Sequence, residues 1–377
     1  MKKIVLLGSG MVGKAIAKDL ADNYSVKAVD LQDDLEKEFA NSGNIAFHSA
    51  DLSTKENIID AIQNCDLVIN ALPGHLGFFA LKTIIGAGKN VVDISFFPED
   101  PFELNELAIQ KNVTAIIDCG VAPGMSNVLL GYHYHNMKVT EYKCYVGGLP
   151  ANPREPFKYK APFSPIDVLE EYVRPARVVE DGNIIEKEAL SEPEGLHFDK
   201  TGHLVAFNTD GLRTLLRTID IPHMVEKTLR YPGHRRIMSI FKQTGFFDKK
   251  PIKINGQRLT PLEFTSRILF PHWKLEANEK EYTIMLIKIK GIQDNQECEH
   301  IYQLFDQYDE ESGLSSMART TGYTCTAAVN LLLEGHYSKK GIIPPEYLGV
   351  NNNNFSFIIN YLKERNIIYD HKVNYFG

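Results

Sequence analysis

The sequence predicts an α/β protein: a doubly wound parallel sheet of the Rossmann kind, followed by a second α+β domain built on a mixed sheet. Three observations carry this. Over residues 1–125, six short apolar segments alternate with helical ones, and five of the six are nearly continuous hydrophobic runs, as in strands that crossover helices bury on both faces. A glycine turn, Gly8-Ser9-Gly10-Met11-Val12-Gly13, joins the first strand to the first helix. From about Ser126 the rhythm changes to longer, alternating strands separated by charged turns.

In chain order, strands are predicted at Lys3–Leu7, Val26–Asp30, Ile45–Ser49, Leu67–Ala71, Val91–Ser95 and Thr114–Asp118. Helices are predicted at Met11–Ala21, Thr54–Ile62, Leu76–Ala87 and Pro101–Gln110. Ser53 with Glu56 reads as a capping box, and Pro101 suits a first turn, where its missing N–H costs nothing. The stretch between Asp30 and Ile45 reads as a short helix or a loop. In the second region, Tyr282–Lys290 is the clearest strand, with weaker ones at Glu141–Val146, Leu204–Asn208 and Glu226–Arg230. Ser164, Pro165 and Asp167 form a helix start, with hydroxyl cap, proline and carboxylate in order. A further helix is expected over Arg235–Gly245, a long one rich in small residues from Ser316, a polar loop at Asn351–Asn354 and a last helix over Phe355–Lys363. The expected divisions are a nucleotide domain (1–125), a substrate domain (126–315) and a C-terminal helical segment (316–377) that packs back on the first.

Bulk properties narrow the function. The chain has 377 residues, enough for two domains with large cores. A net charge of −7 offers little overall attraction to nucleic acid or anionic lipid. The N-terminal apolar run stops at Gly8, too short for a signal or a membrane span. Five cysteines with no ligand spacing fit a reducing, cytoplasmic setting. His133 and His135 lie two apart in a helix and do not share a face, so no metal site is expected.

The glycine turn points to a dinucleotide. Gly8 permits the tight turn, Gly10 admits a pyrophosphate, and Gly13 lets the helix lie close to the sheet, so phosphates meet N–H groups at the helix N-terminus. Ser9, Met11 and Val12 complete that turn. Asp30 ends the second strand, where a carboxylate accepts bonds from the adenosine ribose and repels a 2′-phosphate. NAD is therefore expected over NADP. Asp51, after the third strand, and Ala71-Leu72-Pro73, leaving the fourth, are the further cofactor residues, together with Gly120 in the turn Gly120-Val-Ala-Pro-Gly124.

Ligands of such sheets bind outside the carboxyl ends of the strands, so Asp93 and the turn Asp118–Asn127 lie on the expected edge. The second region supplies charge next to glycine or proline turns: Tyr159-Lys160, Asp210-Gly-Leu-Arg213 and Arg230-Tyr-Pro-Gly-His234. Arginine grips carboxylates by paired bonds, and a lysine, carboxylate or histidine can take a proton from an amine before hydride leaves the adjacent carbon.

Several blocks together carry a resemblance: Asn70-Ala-Leu-Pro73-Gly74, Val92-Asp93-Ile-Ser95-Phe, Asp118-Cys-Gly120-Val-Ala-Pro123-Gly124-Met, Tyr145-Val-Gly147-Gly148-Leu-Pro150, Tyr172-Val-Arg174-Pro175-Ala and Thr228-Leu-Arg230-Tyr-Pro-Gly233-His234. In order and spacing, the chain resembles the saccharopine dehydrogenase-like family, and within it the bacterial and archaeal L-lysine dehydrogenases. The resemblance implies an NAD(P)-dependent oxidoreductase of amino-acid C–N bonds, in many members a homodimer. Saccharopine-forming relatives tend to carry acids where this chain has Ala122 and Ser126, which favours lysine as substrate.

The implied mechanism is oxidative deamination of L-lysine at its 6-amino group. Arg230, with Arg213, would hold the α-carboxylate. Lys160, Asp93 or Asp210 would bind the amine or exchange its proton, with Tyr159 and His234 nearby. A saccharopine dehydrogenase or carboxy-polyamine synthase would instead need a second carboxylate clamp, drawn from Arg154, Arg174 and Arg177. A dinucleotide sensor without chemistry would lack convergent acid, base and arginine.

Overall fold

The structure, a computed structural model, describes residues 1–32, 35–39, 43–162, 165–276 and 279–376. The chain divides into two compact units, residues 1–136 with 318–368 and residues 137–317 with 369–377.

The first unit opens with β1 (Lys3–Leu7), α1 (Met11–Ala21), β2 (Ser25–Asp30), α2 (Leu35–Phe39), β3 (Ile45–Ser49), α3 (Lys55–Ala61), β4 (Leu67–Asn70), α4 (Gly74–Gly86) and β5 (Val91–Asp93). A 3-10 turn over Pro101–Leu104, α5 (Asn105–Gln110), β6 (Thr114–Ile116) and α6 (Met125–Asn136) follow. Aliphatic runs form these strands because both faces are covered: every residue of β4, β5 and β6 is buried. α3 is capped differently from expectation. Thr54, and not Ser53, is the N-cap, accepting from the Asn57 N–H at 3.4 Å, so the Ser53–Glu56 box does not form.

The second unit contains β7 (Lys138–Pro150), α7 (Pro165–Val173), β8 (Ala176–Glu180), β9 (Asn183–Lys187), β10 (Glu194–Phe198), β11 (Gly202–Asn208), α8 (Leu215–Thr218), β12 (His223–Arg230) and α9 (His234–Gln243). Next come β13 (Ile252–Ile254), β14 (Gln257–Leu259), α10 (Pro261–Trp273), β15 (Glu281–Gln293) and β16 (Gln296–Gln307). Its main sheet runs β10-β11-β12-β7-β15-β16 and then β18 (Tyr369–Tyr375), with β8 on the β12 edge. β12 and β7 are parallel and the other pairs antiparallel, so the sheet is mixed, as predicted. The expected cap Ser164 lies outside the described residues; α7 begins at Pro165 with Asp167 in its first turn.

α11 (Ser316–Leu333) leads back to the first unit, followed by β17 (Gly341–Ile343), α12 (Glu346–Gly349) and α13 (Asn352–Glu364). The first sheet reads β17-β6-β5-β4-β1-β2-β3, all parallel. Small residues let α11 approach α1: a Cβ on Gly322 would sit 3.3 Å from Ile16 and 3.4 Å from Ala15. Asp19 on α1 also takes Tyr361 Oη at 2.7 Å and Arg365 Nε at 2.6 Å. Asn351–Asn354 is not the polar loop expected: Asn351 caps α13, accepting from the N–H groups of Asn353 and Asn354. Two further departures concern the divisions. α6 stays with the first unit, although the reading began the substrate domain at Ser126, and β18 joins the second.

Candidate active site

In the first unit, strand order reverses between β1 and β4, which opens a crevice at their carboxyl ends. The three glycines have different reasons. A Cβ on Gly8 would lie 2.5 Å from the Ala71 carbonyl oxygen, and one on Gly13 would lie 2.2 Å from that of Gly8. Gly10 meets nothing within 4 Å, so its face is open. α1 has no side-chain cap at Gly10 and no acid in its first turn, and Met11 and Val12 are accessible beside it. Those first N–H groups have no intrahelical partner, so Gly10, Met11, Val12 and Gly13 fit a pyrophosphate.

Ser9 departs from expectation. It is fully buried and its N–H donates to Asp30 Oδ2 at 2.7 Å, so it binds the carboxylate and leaves phosphate contact to the next residues. Asp30 Oδ1 takes the Gln32 N–H at 3.1 Å. The carboxylate thus ties the glycine turn to the end of β2 and keeps further lone pairs for ribose hydroxyls. Lys27 donates to the Ala61 carbonyl at 3.2 Å, and Lys14 pairs with Glu38 at 2.6 Å. Asp51 is exposed after β3, and its carboxyl is held below the usual range by the Ser53 N–H at 2.9 Å. Ala71 and Pro73 line the exit of β4 while Leu72 is buried. His75, exposed in the first turn of α4, places an imidazole on this edge.

Asp93 is corrected. It is completely buried, accepting from Asn70 Nδ2 and, at 2.7 Å, from the Ser95 N–H. It braces the ends of β4 and β5 and does not present itself to an amine. The turn after β6 closes on itself. Gly120 N–H donates to Pro123 O at 3.1 Å, Met125 N–H to Gly120 O at 2.9 Å, and Gly124, at φ +136°, would place a Cβ 1.8 Å from Gly120 O. Ser126 is fully buried with its hydroxyl donating to Asn127 Oδ1 at 3.1 Å, and Asn127 Nδ2 reaches Glu346 at 3.0 Å. Ser126 is therefore a buried residue in the first turn of α6. Ala122 is the partly open member of the pair.

In the second unit, Tyr159, Arg230 and His234 converge with two residues not singled out as catalytic, Glu171 and Tyr172. Arg230 is 2% exposed. Its Nε donates to Tyr172 Oη at 3.1 Å, Nη1 to Leu229 O at 2.9 Å, and Nη2 to Glu171 Oε2 at 3.2 Å. Its guanidinium lies 4.5 Å over the Tyr159 ring. His234 Nδ1 meets the Phe157 carbonyl at 2.9 Å and must donate there, so Nε2 accepts from Tyr172 Oη at 2.9 Å. Burial, then the Arg230 charge, push the imidazole down to about 3, so it is neutral. Burial lifts Glu171 to about 6 and Tyr172 to about 12, each against the pull of Arg230. Arg230 is thus a satisfied cage centre and not an open carboxylate clamp, and His234 has no ring nitrogen left for an amine.

Asp210 belongs to a separate cluster. Arg177 grips it through Nε and Nη2, both at 2.9 Å. Arg174 stands close enough for its cation to be disfavoured, first by burial and also by the charges of Arg213 and Arg177. Arg213 has φ 46°, and a Cβ on neighbouring Gly211 would meet Glu226 at 1.8 Å. Lys160 points elsewhere, to Lys274 O at 2.8 Å and Glu279 at 3.1 Å, and is not part of either cluster.

With this geometry, comparison with known proteins is informative. Residues 4–116 match the Saccharopine dehydrogenase NADP binding domain, and residues 120–368 match the Saccharopine dehydrogenase C-terminal domain. The chain belongs to the saccharopine dehydrogenase family. It is 23% identical to a Schizosaccharomyces pombe saccharopine dehydrogenase [NADP(+), L-glutamate-forming], covering 92% of this chain and 94% of that one. It is also 23% identical to a Synechocystis carboxyaminopropylagmatine dehydrogenase, covering 92% of each. The mitochondrial alpha-aminoadipic semialdehyde synthase of Bos taurus is 24% identical over 79% of this chain, which spans only 32% of that relative's length. Among solved structures, the apo saccharopine dehydrogenase (L-Glu forming) of Saccharomyces cerevisiae superposes with TM-score 0.80 at 20% identity, covering 99% of this chain and all of that one. The family and its fold are thereby those the sequence blocks suggested.

Proposed function

We propose that this member of the saccharopine dehydrogenase family oxidises the C–N bond of an amino-acid substrate with NAD as hydride acceptor, and that the substrate is L-lysine, attacked at its 6-amino group. The observation that supports this reading most is the glycine turn at the β1/β4 crevice, open above Gly10, in a chain of this family.

NAD is the preferred dinucleotide although the matched domain is described as NADP binding. Residues 30–36, Asp-Leu-Gln-Asp-Asp-Leu-Glu, contain four carboxylates and no base. Lys27 and Lys14 already have partners at Ala61 and Glu38. A 2′-phosphate at Asp30 would meet repulsion at this strand end.

When bound, the nicotinamide supplies the hydride acceptor. The neutral amine donates its lone pair as hydride leaves carbon 6, giving an imine; water then adds and ammonia leaves, producing the aldehyde. Arg213, three residues after Asp210, is the guanidinium proposed for the substrate carboxylate. The Arg230 cage holds Tyr159 and Tyr172 in fixed orientation.

A second reading, a secondary-amine conjugate of the saccharopine kind, draws support from the three guanidiniums Arg174, Arg177 and Arg213 gathered about Asp210. Purified protein assayed for NADH formation with lysine, ornithine, saccharopine and related amines separates the two. Turnover of lysine supports the first; turnover of saccharopine without lysine replaces it with the second; turnover of none rejects both.

A further inference from the structure

Overall charge hides a local reversal. The segment from His234 to Trp273 holds eight lysines and arginines against two carboxylates, in a chain whose net charge is −7. The same segment concentrates exposed apolar side chains: Phe246 (45%), Ile252 (46%), Ile254 (47%), Phe264 (54%) and Ile268 (50%) among the described residues.

At its centre is a projecting hairpin. β13 and β14 are three residues each, pair only with one another, and turn through Asn255 and Gly256, both with positive φ. Every residue from Asp248 to Arg258 is exposed. Ile252 and Ile254 share one face, with Leu259 opposite Ile252, while Lys253 stands directly opposite Arg258 on the other. Like charges facing across two strands weaken a hairpin, and an isolated hairpin this short is marginal in water. Phe264 and Ile268 lie one turn apart on the outer face of α10, which follows the hairpin directly.

We propose that this hairpin and the outer face of α10 form a peripheral docking surface for an anionic phospholipid bilayer. The charge complementarity is direct, since acidic headgroups offset the Lys253–Arg258 repulsion and reward Lys250 as well. A bilayer also accepts both faces of a thin projection: isoleucines enter the acyl boundary while lysine and arginine stems reach up to phosphate. Among the described residues no helix is long and apolar enough to cross a membrane, so the contact is superficial. This surface shares no residue with the proposed catalytic clusters.

Co-sedimentation of the full chain with sonicated vesicles tests this. Vesicles of phosphatidylcholine with phosphatidylserine should carry the protein down, and phosphatidylcholine alone should not. Binding should fall at least about tenfold in the triple variant Lys250→Glu, Lys253→Glu, Arg258→Glu, and likewise when salt rises from about 0.1 M to about 0.5 M. Ile252→Asp with Ile254→Asp should weaken it too, with circular dichroism and dehydrogenase activity unchanged. Absence of binding to anionic vesicles, or equal binding to both compositions, overturns the proposal. A change in oligomeric mass in the aspartate variant without any vesicle effect also overturns it and makes the patch a contact between protein copies.

Discussion

Tyr172 Oη lies 2.9 Å from His234 Nε2, and the hydrogen bond runs from tyrosine to histidine because the Phe157 carbonyl has claimed the Nδ1 proton. This fixes a directional chain from Arg230 Nε through Tyr172 and His234 to the backbone of the loop before Tyr159. Every member is buried or nearly so, and its strength depends on completeness. Tyr172→Phe removes one oxygen and strands both Arg230 Nε and His234 Nε2. A loss of about 1–3 kcal/mol in unfolding free energy is expected, read from urea denaturation at neutral pH.

The same cage sets a pH dependence. His234 falls from an unfolded value near 6.5 to about 3, so the unfolded chain binds the extra proton between those values. Its contribution to stability is complete above pH 6.5 and is lost as pH falls toward 3. Glu171 has the opposite sign: raised from 4.5 to about 6, its contribution is complete below 4.5 and is lost as pH rises through 6. Unfolding measured across pH 3–8 should show His234→Gln flattening the acid limb by about one proton. Glu171→Gln should remove the opposing proton over 4.5–6, so that stability rises with pH more steeply there than in wild type. A His234→Gln profile parallel to wild type contradicts the neutral, caged imidazole.

The glycines of the nucleotide turn should separate into two classes. Gly10→Ala places a methyl where nothing lies within 4 Å, so thermal stability should be close to wild type while KM for NAD rises about tenfold or more, since the pyrophosphate needs that space. Gly13→Ala meets the Gly8 carbonyl and should lower Tm whether or not cofactor is present. Parallel melting curves and cofactor titrations distinguish the two.

Gly124→Ala is the severest of these changes. It combines φ +136° with a Cβ 1.8 Å from Gly120 O, and the turn cannot relax without moving α6, where a Cβ on Gly131 would sit 2.0 Å from Glu346 O. Soluble yield should collapse.

Much of this was legible in the sequence where one physical signal dominated. Buried parallel strands announce themselves as apolar runs, and β1 and α1 fall on their predicted bounds, as does the edge strand β3 although none of its residues is buried. β7 and β15 run 13 residues each, longer than predicted, because neighbours on both edges extend pairing through residues of weaker pattern. The substrate residues were less legible. Arg230, His234, Lys160 and Asp210 were chosen for chemistry near turns, yet tertiary packing gave each a partner from a distant segment: Glu171, Phe157, Glu279 and Arg177. Glu171 and Tyr172 sit in an ordinary amphipathic helix, and only the neighbouring Tyr172-Val-Arg174-Pro175 block hinted at them. The basic hairpin was missed because its charge is averaged away by the acidic remainder of the chain.

The central claim, hydride removal from carbon 6 of lysine, is tested most directly with lysine deuterated at that carbon. Incubation of the purified protein with NAD and the labelled substrate should yield deuterated NADH, with a primary isotope effect on single-turnover reduction. Formation of unlabelled NADH from that substrate, or reduction of NAD by saccharopine alone, would contradict the account.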